Sequence, residues 1–113
     1  MIPADLLDQL REKDPELWER MRRMPIYVHR DSSLTVDLTK SDNTELVDAW
    51  LQHCLQEAIR ARGWSYRLIW ASSVDICKAF ICTGPGIHES VNCDTEAEAL
   101  CWAYLAAIEA ILT

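Results

Sequence analysis

The chain has 113 residues, half of them hydrophobic, with 18 acidic and 11 basic side chains and a net charge of −7. This length fits one domain with one core, and the hydrophobic content excludes global disorder. No apolar run approaches the ~18 residues of a membrane span. The start, "MIPADLLDQLREKDPE", lacks the apolar stretch of a secretory signal. We therefore expect a cytoplasmic protein.

The negative charge restricts the partners to be expected. An acidic surface repels the phosphates of nucleic acids, so direct nucleic-acid binding is disfavoured. The same charge attracts basic surfaces of other proteins. Alternatively, the acidity only keeps the domain soluble.

Residues 4–23 are predicted to be helical, with a break near Pro15. Proline suits the first turn of a new helix, because its missing N–H would be unpaired there in any case. Pro25 is expected to end this segment. The predicted organisation is an N-terminal helical segment, residues 1–25, followed by a single α+β sandwich domain, residues 26–113.

Two short stretches follow, "IYVHR" (26–30) and "LTVDL" (34–38). Their β-branched and aromatic residues favour extended structure, and the polar "DSS" between them suits a turn. A hairpin and a loose connector are both compatible with this pattern.

Residues 43–62 and 95–112 are the two strongest helix predictions, because apolar side chains recur in each at helical spacing. Each begins with a pair of side chains at capping-box spacing. These pairs are Asp42 with Glu45 and Thr95 with Glu98. The final helix is rich in alanine.

Three strands are predicted between these helices, at residues 64–71, 76–82 and 87–92. In the first, alternation divides the side chains between two faces. One face has Trp64, Tyr66, Leu68 and Trp70, and the other has Ser65, Arg67, Ile69 and Ala71. The element order predicts an α+β fold, a small antiparallel sheet of about three strands packed by two helices, similar to an α/β/α sandwich.

The second face of this sheet is not expected to be fully solvated. Ile69, Cys77, Ala79 and Ile81 are the residues that suggest this. The N-terminal helix, a partner protein or a second copy of the chain are the alternatives for what covers it.

The loop "TGPG" (83–86) resembles a phosphate cradle at first sight. A phosphate-binding loop also needs a nearby cation, yet no Lys or Arg follows Lys78. Acidic side chains already occupy the N-terminus of the following helix. The loop is therefore predicted to be a hairpin turn, with ligand contact as the alternative.

Five cysteines are present, and no two have the C-x-x-C spacing of zinc ligands. They are Cys54, Cys77, Cys82, Cys93 and Cys101. We predict buried, reduced thiols and no metal or cofactor.

No catalytic motif is present, so an enzyme is not expected. It would require His88 within reach of a cysteine or carboxylate.

The stretch "ELVDAWLQHCLQEAIRARGWSYRLIW…CKAFIC…CDTEAEALCWAYLAAIEAIL" resembles phage and prophage proteins of the phage ABA sandwich domain family. The resemblance covers about residues 43–112 and is carried by Trp50, by Arg62-Gly63-Trp64 and by the start of the last helix, Asp94-Thr95. It implies a phage-derived α/β/α sandwich and supplies no catalytic residue.

Together these observations predict a phage accessory protein that acts by non-covalent binding, in its sharpest form an anti-defence inhibitor of a host protein. The alternatives are a binder of a nucleotide signal and a structural phage protein. A second copy of the chain, as a homo-oligomer, is a further possible partner. For Trp18, Trp64 and Trp70, packing in the core and contact with a partner are both open, because tryptophan is a bulky core residue and is also enriched at binding hot spots. The candidate binding residues are Trp18, Met21, Trp64, Tyr66, Arg67, Trp70, Lys78 and His88.

Overall fold

The computed structural model describes residues 2–27, 33–37, 44–71 and 73–112. Four helices and five strands lie in these ranges. The helices are α1 (Ala4–Lys13), α2 (Pro15–Met21), α3 (Thr44–Ala61) and α4 (Glu96–Leu112). The strands are β1 (Arg23–Tyr27), β2 (Ser33–Asp37), β3 (Ser65–Ala71), β4 (Ile76–Cys82) and β5 (Ile87–Glu89). The predicted α+β class is confirmed.

The predicted break in the N-terminal helix is confirmed at Asp14, which lies between α1 and α2. Its backbone leaves the helical region, with φ −142° and ψ 75°. Its Oδ1 accepts a hydrogen bond from the backbone N–H of Leu17 at 3.2 Å, which caps α2. Pro15 follows at the first helical position.

The strands β1 and β2 form an antiparallel hairpin, in a register that runs from Arg23–Asp37 to Tyr27–Ser33. The hairpin alternative is thus confirmed, although its first strand, predicted at 26–30, begins three residues earlier, at Arg23. The prediction that Pro25 ends the helical segment is wrong, because α2 already ends at Met21 and the proline lies inside β1. A two-stranded sheet tolerates this residue because each strand has a free edge. The predicted cap at Asp42 falls outside the described residues.

The second sheet is antiparallel, with strand order β3-β4-β5. The Gly-Pro-Gly loop is the turn between β4 and β5, closed by a bond from the N–H of Thr83 to the carbonyl of Gly86 at 3.0 Å. Gly84 has φ +100° there, a conformation that favours glycine. The hairpin-turn prediction is confirmed.

The last strand ends earlier than predicted because a side chain replaces the backbone ladder. Ser90, which directly follows β5, is buried. Its Oγ accepts a hydrogen bond from the backbone N–H of Ala79 at 2.9 Å. This N–H is therefore satisfied without a carbonyl from the neighbouring strand.

The helices form two layers on one side of this sheet. α3 and α4 pack on the sheet, while α1 packs on α4 and α2 packs on α3. α4 lies at the centre, and its Ala99, Ala103 and Ala107 are fully buried, because small side chains permit close approach. All four helices and β4 contribute to one hydrophobic core.

The N-terminal helices therefore do not cover the second face of the sheet, which was one of the sequence-based alternatives. Instead, the indole Nε1 of Trp50 on α3 donates a hydrogen bond to the carbonyl of Met21 at 2.8 Å. An ion pair between Arg20 and Glu57 joins the same two helices. These contacts fix α2 to the outside of the helical layer.

Candidate protein-binding surface

The strand register assigns each side chain of the three-stranded sheet to one of two faces. Tyr66 pairs with Ile81, Leu68 with Ala79 and Trp70 with Cys77. We call this helix-covered side the inner face. The opposite side, the outer face, consists of Ser65, Arg67, Ile69, Ala71, Ile76, Lys78, Phe80, Cys82, Ile87 and Glu89.

Four residues were predicted to make the second face of the sheet apolar, and three of them lie on the inner face instead. Cys77, Ala79 and Ile81 are fully buried under α4, on the inner face. The strand "ICKAFIC" is apolar at nearly every position, so alternation alone does not show which side faces the helices. Pairing with β3 decides the orientation.

The outer face is nevertheless apolar at its centre. Ile69 is 44% exposed and Ile87 is 71% exposed, and the ring of Phe80 is half-buried between them. A shallow depression of about 410 Å³ lies here. Its lining residues are Ser65, Tyr66, Arg67, Ile69, Phe80, Cys82 and Ile87.

Charged side chains border this apolar centre. Lys78 Nζ lies 3.5 Å from Glu89 Oε1 and 5.9 Å from the centroid of the Phe80 ring. Arg67 is exposed on the neighbouring strand. An apolar centre with a polar rim is the arrangement typical of protein–protein interfaces.

The structure separates the residues predicted to bind a nucleotide together. Arg67 and Lys78 lie on the outer face, whereas Tyr66 and Trp70 lie on the inner face. Trp64 packs on the core just before β3. Tyr66 and Arg67 both line the outer-face depression, whereas Trp64 and Trp70 do not, so only part of the predicted group shares one surface.

Two aromatic residues of the inner face, the exposed Trp70 and the half-buried Tyr66, contact neighbouring side chains. Trp70 is 43% exposed, and its Nε1 donates a hydrogen bond to Glu96 Oε1 at 2.8 Å. The hydroxyl of Tyr66 lies 3.5 Å from Arg60 Nη2. Both residues therefore border the free edge of β3, and Tyr66 also lines the outer-face depression.

The remaining predicted contact residues are not on the outer face either. Met21 is fully buried, so its side chain is not accessible for contact, and Trp18 is half-buried on α2. His88 pairs with Ile81 and is half-buried on the inner face. Among the described residues, no hydrogen bond joins His88 to a cysteine or carboxylate.

A polar cluster that was not predicted joins three distant parts of the chain. The hydroxyl of Tyr104 donates to Asp14 Oδ2 at 2.6 Å and accepts from Arg62 Nε at 3.2 Å. The Arg62 guanidinium also lies 5.1 Å from the Trp64 ring centroid. A tyrosine within an apolar helical stripe looks like core filler, so the sequence contains no signal for this cluster.

This cluster is built to hold elements together rather than to transfer protons. Burial, and then the hydrogen bond to Asp14, raises the pKa of Tyr104 above its usual range. The hydroxyl therefore stays protonated and serves as a donor. It fixes the α1–α2 break to α4 and to the end of α3.

The prediction of buried, reduced thiols is confirmed for four of the five cysteines, and Cys82 is exposed on the outer face. Burial raises the pKa of Cys54 and Cys93 to about 11 and that of Cys101 to about 12. Such thiols are weak nucleophiles at neutral pH. The described part of the chain contains no cluster of side chains suited to hold a metal ion.

None of the helices in the described ranges has the length and apolar content that a membrane span requires. Comparison with protein-family models, with curated proteins and with solved structures finds no match. The resemblance to the phage ABA sandwich domain therefore stays a prediction.

Proposed function

We propose that this protein acts by non-covalent binding of another protein through the outer face of the three-stranded sheet. The observation that supports this is the exposed apolar centre formed by Ile69, Phe80 and Ile87. Contiguous apolar patches on a folded domain mark interaction sites. Stoichiometric binding also accords with the raised pKa values of the buried thiols, which make them poor catalytic groups.

The flanking charges supply specificity. The Lys78–Glu89 pair and Arg67 border the apolar centre. Rim charges contribute to orientation and association rate more than to affinity. A matching partner has an apolar protrusion flanked by charges of both signs.

The test uses two exposed apolar residues that differ in position. Ile87 lies on the outer face, whereas Val74, 61% exposed, lies in the β3–β4 turn. The variant Ile87→Asp should lose a partner that the wild type captures at near-equal stoichiometry, and Val74→Asp should retain it. Equal capture by all three proteins would refute binding through the outer face.

In its more specific form, the proposal is that the partner is a host immunity protein in the bacterial cytoplasm and that binding inhibits it. This form depends on the family resemblance of residues 43–112. Expression of the wild type in a strain with a defence system should restore plating of a phage that this system blocks. The Ile87→Asp variant should not restore it. If both proteins restore plating, inhibition of the defence system does not require the outer face.

A further inference from the structure

The free edge of β3 presents a row of backbone groups without partners in the described structure. On β4, Cys77 exchanges both backbone hydrogen bonds with Cys93, and the Ala79 carbonyl accepts from Ser90. The backbone N–H and C=O groups of Cys77 and Ala79 therefore point away from β3. Since successive residues of a strand point to opposite sides, the intervening residues of β4 bond to β3.

The strand register then identifies the outward-pointing groups of β3. The β4 residues that bond to β3 pair with residues 65, 67, 69 and 71. The backbone groups of these four residues therefore point towards β4. The N–H and C=O groups of Tyr66, Leu68 and Trp70 point to the free edge. This edge is seven residues long, and Arg67 is its only charged side chain, so it lacks the usual devices that prevent strand pairing.

The two ends of this edge have opposite charge. Arg60 lies beside Tyr66, at one end. At the other end, Glu96 Oε1 accepts a hydrogen bond from Trp70 Nε1 at 2.8 Å. A strand that docks antiparallel therefore finds a basic end and an acidic end along the same edge.

We propose that β3 pairs antiparallel with β3 of a second copy of this chain, around a two-fold axis at Leu68. In this register Tyr66 lies opposite the partner's Trp70, and Leu68 lies opposite its own copy. All the outward backbone groups of β3 are then satisfied. The acidic end of each copy meets Arg60 of the other, so the edge is complementary to itself.

This inference does not depend on the proposed function, because it uses the edge of the sheet and leaves the outer face open. Pairing joins two three-stranded sheets into one continuous sheet. The two outer faces then lie side by side. Two-fold interfaces of this isologous kind are the commonest in soluble oligomers.

The experiment is a charge exchange followed by sedimentation equilibrium. The wild type should be a dimer. Arg60→Glu and Glu96→Lys should each raise the dimer dissociation constant about tenfold or more, because each places like charges across the seam. The double variant should return to within about threefold of the wild type, since the exchanged charges attract again.

Two controls make the result specific to this edge. Arg11→Glu makes the same charge change on exposed α1 and should leave the dissociation constant unchanged. Amide exchange at Leu68 should slow as protein concentration rises. A monomeric wild type, a double variant that stays as weak as the single variants, or exchange at Leu68 independent of concentration would each overturn the proposal.

The same data separate this inference from the proposed function. Ile87→Asp changes the outer face and should still dimerise. A dimer that captures no partner refutes the proposed function alone. A monomer whose partner capture depends on Ile87 refutes the edge pairing alone.

Discussion

The two faces of the three-stranded sheet contain similar residues but have different surroundings. Ile81 on the inner face is fully buried, whereas Ile87 on the outer face, in the neighbouring strand, is 71% exposed. The difference arises because α3 and α4 cover one side only. An apolar residue in a strand therefore predicts contact with something apolar, and the layer arrangement decides whether this is the core or another molecule.

The largest expected effect is a truncation on the inner face. Ile81→Ala should lower the free energy of unfolding by about 2–5 kcal/mol, because the truncation leaves a cavity in the core beneath α4. Ile87→Ala, the same change on the outer face, should stay within about 0.5 kcal/mol of the wild type. Urea unfolding measures both. Equal losses at the two positions would show that the outer face is also covered in the isolated protein.

The next effect concerns the anchoring of the helical layer that covers the inner face. Tyr104→Phe removes a hydroxyl that donates to Asp14 and accepts from Arg62, so two hydrogen bonds to charged side chains are lost. We expect a loss of about 1–3 kcal/mol in unfolding free energy. Tyr66→Phe, which removes an exposed hydroxyl, is the matched control and should have little effect. A neutral Tyr104→Phe variant would mean that the cluster does not hold α1 to α4.

A smaller effect should appear at alkaline pH, because thiols are buried in the same layer. The pKa of Cys101 is raised from 9.0 to about 12 in the folded protein. The folded state therefore keeps a proton that the unfolded state releases, and stability falls as pH rises above 9. At pH 10 the loss should be about 1.4 kcal/mol for this thiol.

Thermal unfolding at pH 7 to 10 measures this loss in the wild type and in Cys101→Ala. The variant should be less stable than the wild type at pH 7, because a buried side chain is truncated. Its stability should fall less steeply as pH rises, because it lacks the contribution of the Cys101 thiol. Identical pH profiles for the two proteins would contradict a buried, protonated Cys101.

Much of the fold was predictable because the signals are local. The Asp14-Pro15 break, the Thr95 cap and the period-two pattern of β3 each depend on a few neighbouring residues. The Glu98 N–H donates to Thr95 Oγ1 at 3.2 Å, which confirms that side of the predicted capping box. Such signals also placed both long helices to within two residues of their observed ends.

The candidate surface was harder to predict because it depends on register. An apolar second face was expected, yet Cys77, Ala79 and Ile81 belong to the inner face. β4 is apolar on both sides, so only its pairing with β3 shows that Phe80 points outward. The Tyr104 cluster joins residues that are 90 positions apart, and no local pattern reveals such a contact.

The most direct test of the outer face as a binding surface uses its exposed thiol. Cys82 is the only exposed cysteine among the five, and it lines the depression beside Phe80. The rate at which iodoacetamide alkylates Cys82 is measured by mass spectrometry in the free protein and in the complex that co-purifies with it. Burial beneath a partner should slow alkylation at least about tenfold. An unchanged rate in a stoichiometric complex would contradict binding through the outer face.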